Sequence, residues 1–399
     1  MFEHVAMAPE DPILGLTEAF AKDPNPDKIN LSVGVYQDNE GRTPILESVR
    51  QAAARLLRSE TTKSYLGMAG TPEYARAVQE LVLGADHEAV ATGRAVTAHT
   101  PGGTGALRVA GDFFKQTFPA ARVWLSQPTW PNHPNVFAAA GLETKTYSYF
   151  NADRHELAFD ALIKDLQAIP AGDIVVLHAC CHNPTGVDLT AQQWGQIADL
   201  IYDRGLLPLL DFAYQGFASG LAEDAAGVRA VCRPGTELIL CSSFSKNFGL
   251  YRERVGALTF VAANRATAER VQSQVKQCIR ANYSNPPAHG GAVVTMVLTD
   301  PALSAVWQQE VGTMRDRISA VRKLLVSTLV AKGVSRDFSF ITRQRGMFSF
   351  AGLTPEQVDL LRAKYSIYAV RSGRINVAGI TDKNIDRLGS AIADVLKAA

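Results

Sequence analysis

Residues 205–217 read GLLPLLDFAYQGF and residues 237–246 read ELILCSSFSK, and these two stretches decide the fold class. Each is a short apolar run that polar side chains follow at once, Asp211 in the first and Lys246 in the second. A short apolar run between turn signals is typical of a strand that is buried on both faces. In an open α/β sheet, ligands bind beyond the carboxyl ends of such strands. The pattern therefore predicts an α/β fold with its site at these strand ends.

The middle of the chain repeats this pattern. Further strands are predicted at Arg122–Leu125, Ile174–Leu177, Leu206–Leu210, Glu237–Cys241 and Gly256–Val261. Helical apolar spacing is predicted at residues 46–58, 72–83 and Ala191–Asp203, and again after the glycines at 102–105. Buried strands that alternate with helices predict a mostly parallel sheet that helices cover on both faces.

The two ends of the chain differ from the middle. A long helical pattern from Pro301 to about Lys332 precedes strand-like pieces and a closing helix from Asp382. The strand-like pieces are Phe338–Ile341, Met347–Phe350 and Ile367–Val370. Residues 9–30 are rich in Pro and Asp, which predicts an extended arm. We expect residues 1–35 to form an N-terminal arm and part of a small α+β domain, 36–312 a large domain, and 313–399 the small C-terminal domain.

Composition excludes several classes of protein. The 399 residues are 47% hydrophobic and 20% charged, with a formal net charge of +1, so nothing indicates a nucleic-acid or membrane partner. The five cysteines include one adjacent pair and no CxxC, which argues against a disulfide framework and a metal site. Neither a signal peptide nor an 18-residue apolar run is visible, so we expect a cytoplasmic protein.

Polar side chains follow three consecutive predicted strands. Asn183 follows the strand at Ile174, Asp211 and Tyr214 follow the next, and Lys246 follows the third. Each residue alone has an ordinary explanation, such as a helix cap, a turn or a solvated lysine. Three strand ends in succession favour a single site.

The chemistry of this set fits one cofactor, pyridoxal 5'-phosphate. A desolvated lysine amine forms a Schiff base with an aldehyde, and an aspartate can pair with a protonated pyridine nitrogen. Phosphate favours backbone N–H groups at a helix start, hydroxyls and an arginine. Gly102–Thr104, Ser243 and Arg254 supply these groups, and Trp130 offers a flat face for the ring.

Seven blocks that span nearly the whole chain together resemble the aspartate and aromatic aminotransferases of fold type I. They are TPGGTGALR (100–108), PTWPNH (128–133), HACCHNPTG (178–186), DFAYQGF (211–217), SSFSKNFGLYRERVG (242–256), IRANYSNPPAHG (279–290) and SGRINVAG (372–379). The resemblance implies a mostly parallel sheet of the seven-stranded type with flanking helices and a smaller α+β domain. It also implies a homodimer whose active sites are shared between the subunits.

The resemblance assigns roles around the cofactor ring. Lys246 would carry the cofactor and then move a proton as acid and base. Asp211 would pair with the pyridine nitrogen, with His133 behind it. Asn183 and Tyr214 would hydrogen-bond the phenolic oxygen, and Trp130 would stack on the ring. The residues expected at the phosphate are Gly103, Thr104, Ser243, Arg254 and, from the neighbouring subunit, Tyr65. Gly102 stands where some relatives have Ser, and its backbone N–H remains.

Two arginines rest on the resemblance alone. Arg374 would bind the substrate α-carboxylate, and Arg280 of the neighbouring subunit would bind the side-chain carboxylate of aspartate or glutamate. Gly34 would allow close approach to the substrate, beside Trp130 and Asn183. The expected reaction moves the amino group of L-aspartate to 2-oxoglutarate by a ping-pong mechanism.

Three alternatives stay open. The residues expected near the substrate are mostly polar or small, which favours aspartate over the main rival within the class, an aromatic-amino-acid aminotransferase. A β-lyase or decarboxylase of the same fold type is disfavoured because Arg280 and Arg374 together suit transamination. Ser243 to Lys246 also matches the S-x-x-K motif of serine acylases, but the chain contains neither SDN nor KTG.

Overall fold

The computed structural model describes residues 2–7 and 14–397 of the chain. Contacts divide the chain into two compact units, a small unit of Met1–Thr43 with Ile318–Ala399 and a large unit of Pro44–Arg317. Each unit has its own hydrophobic core. The domain bounds inferred from the sequence remain a prediction.

The described helices and strands are numbered here in chain order. The helices are α1 Leu14–Lys22, α2 Glu47–Ser59, α3 Pro72–Leu83, α4 Glu88–Ala91, α5 Gly102–Thr117, α6 His133–Ala139, α7 Phe159–Ala168, α8 Ala191–Asp203, α9 Leu221–Asp224, α10 Ala226–Val231, α11 Arg265–Asn282, α12 Ala288–Thr299, α13 Pro301–Ala331, α14 Phe340–Arg343, α15 Pro355–Tyr365 and α16 Ile385–Lys397. The strands are β1 Ile29–Asn30, β2 Ala95–Pro101, β3 Val123–Gln127, β4 Thr144–Ser148, β5 Phe150–Asn151, β6 Glu156–Leu157, β7 Ile174–His178, β8 Leu207–Phe212, β9 Leu238–Ser243, β10 Val255–Val261, β11 Phe348–Phe350, β12 Ile367–Tyr368 and β13 Arg374–Asn376.

The large unit is built on a seven-stranded sheet in the order β2-β10-β9-β8-β7-β3-β4. β10 is antiparallel to both of its neighbours, and the other neighbouring pairs are parallel. Every residue of β7, β9 and β10 is buried, as expected for strands that helices cover on both faces. The predicted fold class and the five predicted strands of the middle region are confirmed.

Register places the polar strand ends side by side. His178 at the end of β7 pairs with Asp211 on β8, and Asp211 pairs in turn with Cys241 on β9. Because the three strands are parallel, their carboxyl ends meet at one edge of the sheet.

Local capping explains where the flanking helices begin. The Thr190 side chain accepts from the backbone N–H of Gln193, and Gln193 returns a bond to Thr190, so α8 begins with a capping box. The Thr71 side chain caps α3 by accepting from the backbone N–H of Tyr74, ahead of Pro72, a residue that suits the first helical position.

The small unit holds two short sheets. β1 pairs with β12 in parallel, and β11 pairs with β13 in antiparallel fashion. One predicted strand is wrong, because Phe338–Ile341 runs into the short helix α14. The Asp337 carboxylate accepts from the backbone N–H of Ser339 at 2.7 Å and from its hydroxyl at 2.9 Å. This local bond turns the chain where alternating apolar residues suggested a strand.

The arm predicted over residues 9–30 is also wrong in part. Residues 14–22 form helix α1, whereas residues 8–13 lie outside the described part of the chain. Nζ of Lys28 donates to the carbonyls of Phe20 at 2.8 Å and Asp23 at 2.6 Å. A cation at the last carbonyls stabilises the end of a helix, here the end of α1. The prolines of this region had suggested an extended chain instead.

Among the described residues, no single helix is long and apolar enough to cross a membrane. The bent pair α12 and α13 passes that test together on length and composition.

Gly256 on β10 allows the turn that opens α5 to approach the sheet. A Cβ at this position would lie 2.6 Å from the carbonyl oxygen of Gly102 and 2.7 Å from the backbone nitrogen of Gly103. We predict that Gly256→Ala lowers the free energy of unfolding by about 1–3 kcal/mol, because the new methyl group meets backbone that cannot rotate away.

The control is Gly195→Ala on α8, where a Cβ meets nothing within 4 Å. This change should be neutral or stabilise the helix by up to about 1 kcal/mol. Urea denaturation of both variants provides the comparison. Equal stability of Gly256→Ala and wild type would contradict the close approach.

Candidate active site

Asp211 is the central charged group of the predicted site. Its side chain lies on β8 in the middle of the sheet and is 7% exposed. The Nε2 N–H of His133 donates to the carboxylate at 3.0 Å, and the Thr129 hydroxyl lies 2.8 Å from Nδ1 of the same ring. His133 opens α6 and is fully buried, so the structure fixes the orientation of this pair.

The carboxylate is held in its charged form. Burial favours the neutral acid, but the hydrogen bond and charge of His133 and the nearby charge of Lys246 outweigh it. The pKa of Asp211 therefore lies below its usual value. Such a carboxylate can stabilise a cation placed beside it.

Two further buried histidines extend this cluster. The His178 ring lies 5.3 Å from that of His133 and 4.3 Å from that of His182. Burial, which acts with the neighbouring charge of His133, lowers the pKa of His178 to about 3. His178 is thus neutral and leaves the negative charge on Asp211. The ligand atoms of His133, His178 and Asp211 lie within 4.8 Å of one another, a spacing that metal ligands also adopt.

Lys246 lies in the loop that follows β9. Its Nζ is 4.7 Å from the centre of the Tyr214 ring. Burial lowers the pKa of Lys246 to about 8, with Arg254 acting in the same direction and Asp211 opposing both. The amine is therefore about half neutral near pH 8, which is the state that a nucleophile or a proton acceptor needs.

A cradle for an anion surrounds the first turn of α5. Gly102 adopts a left-handed φ of 74°, and a Cβ there would lie 2.9 Å from Cζ of Arg254. A Cβ on Gly103 would lie 3.0 Å from Cβ of Ser243. Thr104 belongs to the same turn. Free N–H groups at a helix start, two hydroxyls and a guanidinium together suit a phosphate.

Three more predicted residues of the large unit lie close to this strand edge. Asn183 and Tyr214 are 4% and 5% exposed and follow β7 and β8. The Trp130 ring meets that of His133 edge-on at 5.3 Å. Tyr65 and Arg280 differ, because both are exposed on the single chain, Tyr65 at 92%. Arg280 donates to the Ser284 hydroxyl at 2.5 Å.

The small unit holds Arg374 and Gly34. Arg374 is 2% exposed, donates to the carbonyl of Ser32 at 2.6 Å, and places its guanidinium 4.2 Å from the centre of the Phe348 ring. A Cβ at Gly34 would lie 2.7 Å from the same ring. Phe348 thus packs between the two predicted substrate residues of this unit.

Sequence reasoning missed two residues, one that packs on Arg374 and one that bonds to the residues on either side of Gly34. One is Phe348, and the other is Asn376, whose Nδ2 donates to the carbonyls of Val33 at 2.7 Å and Val35 at 2.8 Å. Asn376 stands two positions after Arg374 on β13, so both side chains leave the same face of the strand. The two-residue spacing of polar side chains on this strand was the sequence signal that could have indicated Asn376. The contact of Phe348 requires the tertiary fold.

The residues of the large unit fit pyridoxal phosphate. The half-neutral lysine amine suits an aldehyde, the charged carboxylate suits a pyridinium nitrogen, and the cradle at α5 suits a phosphate. The S-x-x-K alternative fits less well, because Ser243 packs against Gly103 and its hydroxyl accepts from the backbone N–H of Ser245 at 3.4 Å.

We predict that Lys246 of the cofactor-free protein is acylated with a pH midpoint near 8, as its lowered pKa requires. An ordinary lysine peptide titrates near pH 10.4. Asp211→Asn should lower the midpoint further, since it removes the charge that favours the ammonium form. Mass spectrometry of the Lys246 peptide after pulsed acylation gives the midpoint. A midpoint near 10 in wild type would contradict this account of the amine.

Comparison with known proteins agrees with the geometry. The family model for aminotransferase class I and II matches residues 26–392. The aspartate aminotransferase of Escherichia coli K12 is 56% identical over 99% of this chain and 100% of its own length. The aromatic-amino-acid aminotransferase of Pseudomonas aeruginosa is 50% identical over 99% and 98%. A crystal structure of the Burkholderia pseudomallei aromatic-amino-acid aminotransferase covalently bound to pyridoxal phosphate matches with a TM-score of 0.97 and 49% identity over 99% of both chains.

The resemblance seen in the sequence blocks is therefore confirmed over nearly the whole chain. This chain belongs to the class I and II aminotransferases and is a pyridoxal-phosphate-dependent transaminase of fold type I.

Proposed function

We propose that this enzyme transfers the amino group of L-aspartate to 2-oxoglutarate by a ping-pong mechanism and also accepts aromatic amino acids. The observation that carries the chemistry is the Lys246 amine, partly neutral and close to the charged Asp211–His133 pair. The preference for aspartate is supported by the 56% identity to an aspartate aminotransferase, against 50% to an aromatic one.

Bound pyridoxal phosphate supplies an electron sink for the bond that breaks at the substrate Cα. Asp211 holds a proton on the pyridine nitrogen, and His133 keeps the carboxylate charged and oriented. Lys246 Nζ accepts the proton from Cα and later returns it, for which a pKa near neutrality is suited. Asn183 and Tyr214 donate hydrogen bonds to the phenolic oxygen.

The phosphate groups and the ring are held by separate parts of the large unit. Gly103, Thr104, Ser243 and Arg254 bind the phosphate at the start of α5, a site where the helix dipole favours an anion. The Trp130 indole covers the ring. Because α5 and β8 pack in the same core, the phosphate-binding residues and Asp211 keep a fixed spacing.

Two arginines bind the substrate carboxylates. Arg374 binds the α-carboxylate through a bidentate pair, supported by its packing on Phe348 and its bond to Ser32. Gly34 has no side chain and allows close approach of the substrate, and Trp130 and Asn183 are further substrate-binding residues. Arg280 binds the second carboxylate of aspartate, which gives specificity for a dicarboxylic substrate.

We further propose a homodimer in which Arg280 and Tyr65 act in the partner's site. Their exposure on the single chain supports this, because a tyrosine at 92% exposure can bind phosphate only where another surface approaches it. All five cysteines lie in the described part of the chain, are buried and form no disulfide, which supports a reducing compartment such as the cytoplasm.

Arg280→Leu should separate the two substrate classes. We predict that kcat/KM for aspartate falls about 10- to 100-fold, the value of one or two hydrogen bonds to a charged group, whereas kcat/KM for phenylalanine changes less than threefold. Arg270→Leu, another exposed arginine on α11, is the matched control and should change neither value. An equal loss for both substrates in Arg280→Leu would contradict the assignment.

Mixing two variants that are each impaired toward aspartate tests whether the sites are shared. Arg280→Leu and Lys246→Ala chains, denatured and refolded together, should recover roughly a quarter of wild-type aspartate activity, because half of the dimers hold one intact site. Activity that stays at the sum of the two variants, with a dimer present by sedimentation, would place Arg280 in its own subunit's site. A fully active monomer would refute the dimer.

A further inference from the structure

Two buried amide residues directly follow Tyr214 and Lys246, whose side chains meet at the carboxyl ends of the strands. Gln215 follows Tyr214, and Asn247 follows Lys246. Gln215 is 3% exposed and Asn247 is 1% exposed. Neither belongs to the set of residues assigned above to the cofactor or the substrate.

Asn247 joins the two loops that carry these side chains. Its Nδ2 donates to the carbonyl of Gln215 at 3.2 Å, which ties the loop after β9 to the loop after β8. Gln215 in turn donates through Nε2 to the carbonyls of Leu81 at 3.2 Å and Leu221 at 2.9 Å. The Tyr214 loop is thus fixed to the flanking helices α3 and α9.

The backbone of Asn247 is fixed to a long helix as well. The indole N–H of Trp307 on α13 donates to the Asn247 carbonyl at 2.8 Å. The Trp307 ring also stacks on Phe248, with centroids 4.5 Å apart and an interplanar angle of 23°. Asn247 therefore contacts the Tyr214 loop through its side chain and helix α13 through its backbone carbonyl.

Stability alone does not explain the side-chain amide of Asn247 at this buried position. Within the described part of the chain, Oδ1 of Asn247 is buried and has no hydrogen-bond partner. A buried acceptor without a partner costs about 1–3 kcal/mol, and an apolar residue of the same volume would avoid that cost. What an apolar residue would lose is the donor that connects the two loops.

We propose that Asn247 is a positioning residue, which through Gln215 sets the distance between the Tyr214 ring and the Lys246 amine. The 4.7 Å contact between them is the geometry that it maintains. An aromatic face favours an ammonium ion at this distance. The proposal rests on the proposed function, since it concerns the lysine that moves the proton.

The first test is Asn247→Leu, which keeps the branched shape and the number of side-chain heavy atoms and removes the donor. We expect kcat to fall roughly fivefold with KM unchanged, as for the loss of one hydrogen bond. In the cofactor-free protein, the pH midpoint for acylation of Lys246 should also fall. The groups that face this amine are Asp211, Arg254 and the Tyr214 ring, and only the ring is released.

The matched control is Gln79→Leu. Gln79 is a buried amide on α3 that donates to the carbonyl of Ala95 at 3.2 Å and to Thr97 at 3.1 Å. The Gln79→Leu variant should be less stable but should keep the wild-type kcat and the wild-type pH midpoint for acylation of Lys246. Trp307→Phe keeps an aromatic ring next to Phe248 but removes the indole N–H. It should shift both values in the direction of Asn247→Leu, and it serves as the test if Asn247→Leu does not fold.

The outcomes are distinct. If Asn247→Leu and Trp307→Phe lose only stability, as Gln79→Leu does, Asn247 is a structural residue and the proposal is overturned. A Lys246→Ala protein that still binds pyridoxal phosphate covalently would instead overturn the proposed function, whatever the Asn247 variants do.

Discussion

The candidate site of the large unit depends on one buried charge, the Asp211 carboxylate, and on the hydrogen bond that His133 donates to it. A carboxylate at 7% exposure is stable only where donors and positive charge surround it. His133 supplies the donor, and the parallel register of β8 and β9 sets the Lys246 loop beside Asp211. Because this environment keeps the Asp211 carboxylate charged, the carboxylate can pair with a cationic ring.

The anion cradle follows from the one antiparallel strand of the sheet. Because β10 reverses direction between β2 and β9, the loop before it returns Arg254 to the end of β2, where α5 begins. Gly256 and Gly102 permit the close approach of strand and turn. The start of α5 therefore lies close to the Arg254 guanidinium and the Ser243 hydroxyl. The proposed phosphate site thus lies at the end of β2, apart from Asp211 on β8.

Sequence predicted the parts of this molecule that depend on local pattern. Apolar runs such as Ile174–Leu177 gave the sheet, and the residues after them gave Asp211 and Lys246, because strand ends are specific places in an α/β fold. Local pattern misled at Phe338–Ile341, where the Asp337 carboxylate turns the chain, and over residues 14–22, where prolines nearby suggested an arm.

The rest depends on contacts between residues that are distant in sequence. Arg374 lies on a three-residue strand, and its burial, its packing on Phe348 and its bond to Ser32 distinguish it from a surface arginine. Arg280 is exposed, so its role rests on resemblance. Asn247 looks like an ordinary loop residue until its bond to Gln215 is seen. None of these contacts leaves a periodic signal in the sequence.

The most direct test of this account is to find which residue holds the cofactor. Purified enzyme is loaded with pyridoxal phosphate, reduced with borohydride and digested, and mass spectrometry then locates the pyridoxyl group. The account predicts one modified peptide, containing Lys246, that disappears in Lys246→Ala. A pyridoxyl group on another lysine, or the same labelling in Lys246→Ala, would contradict it.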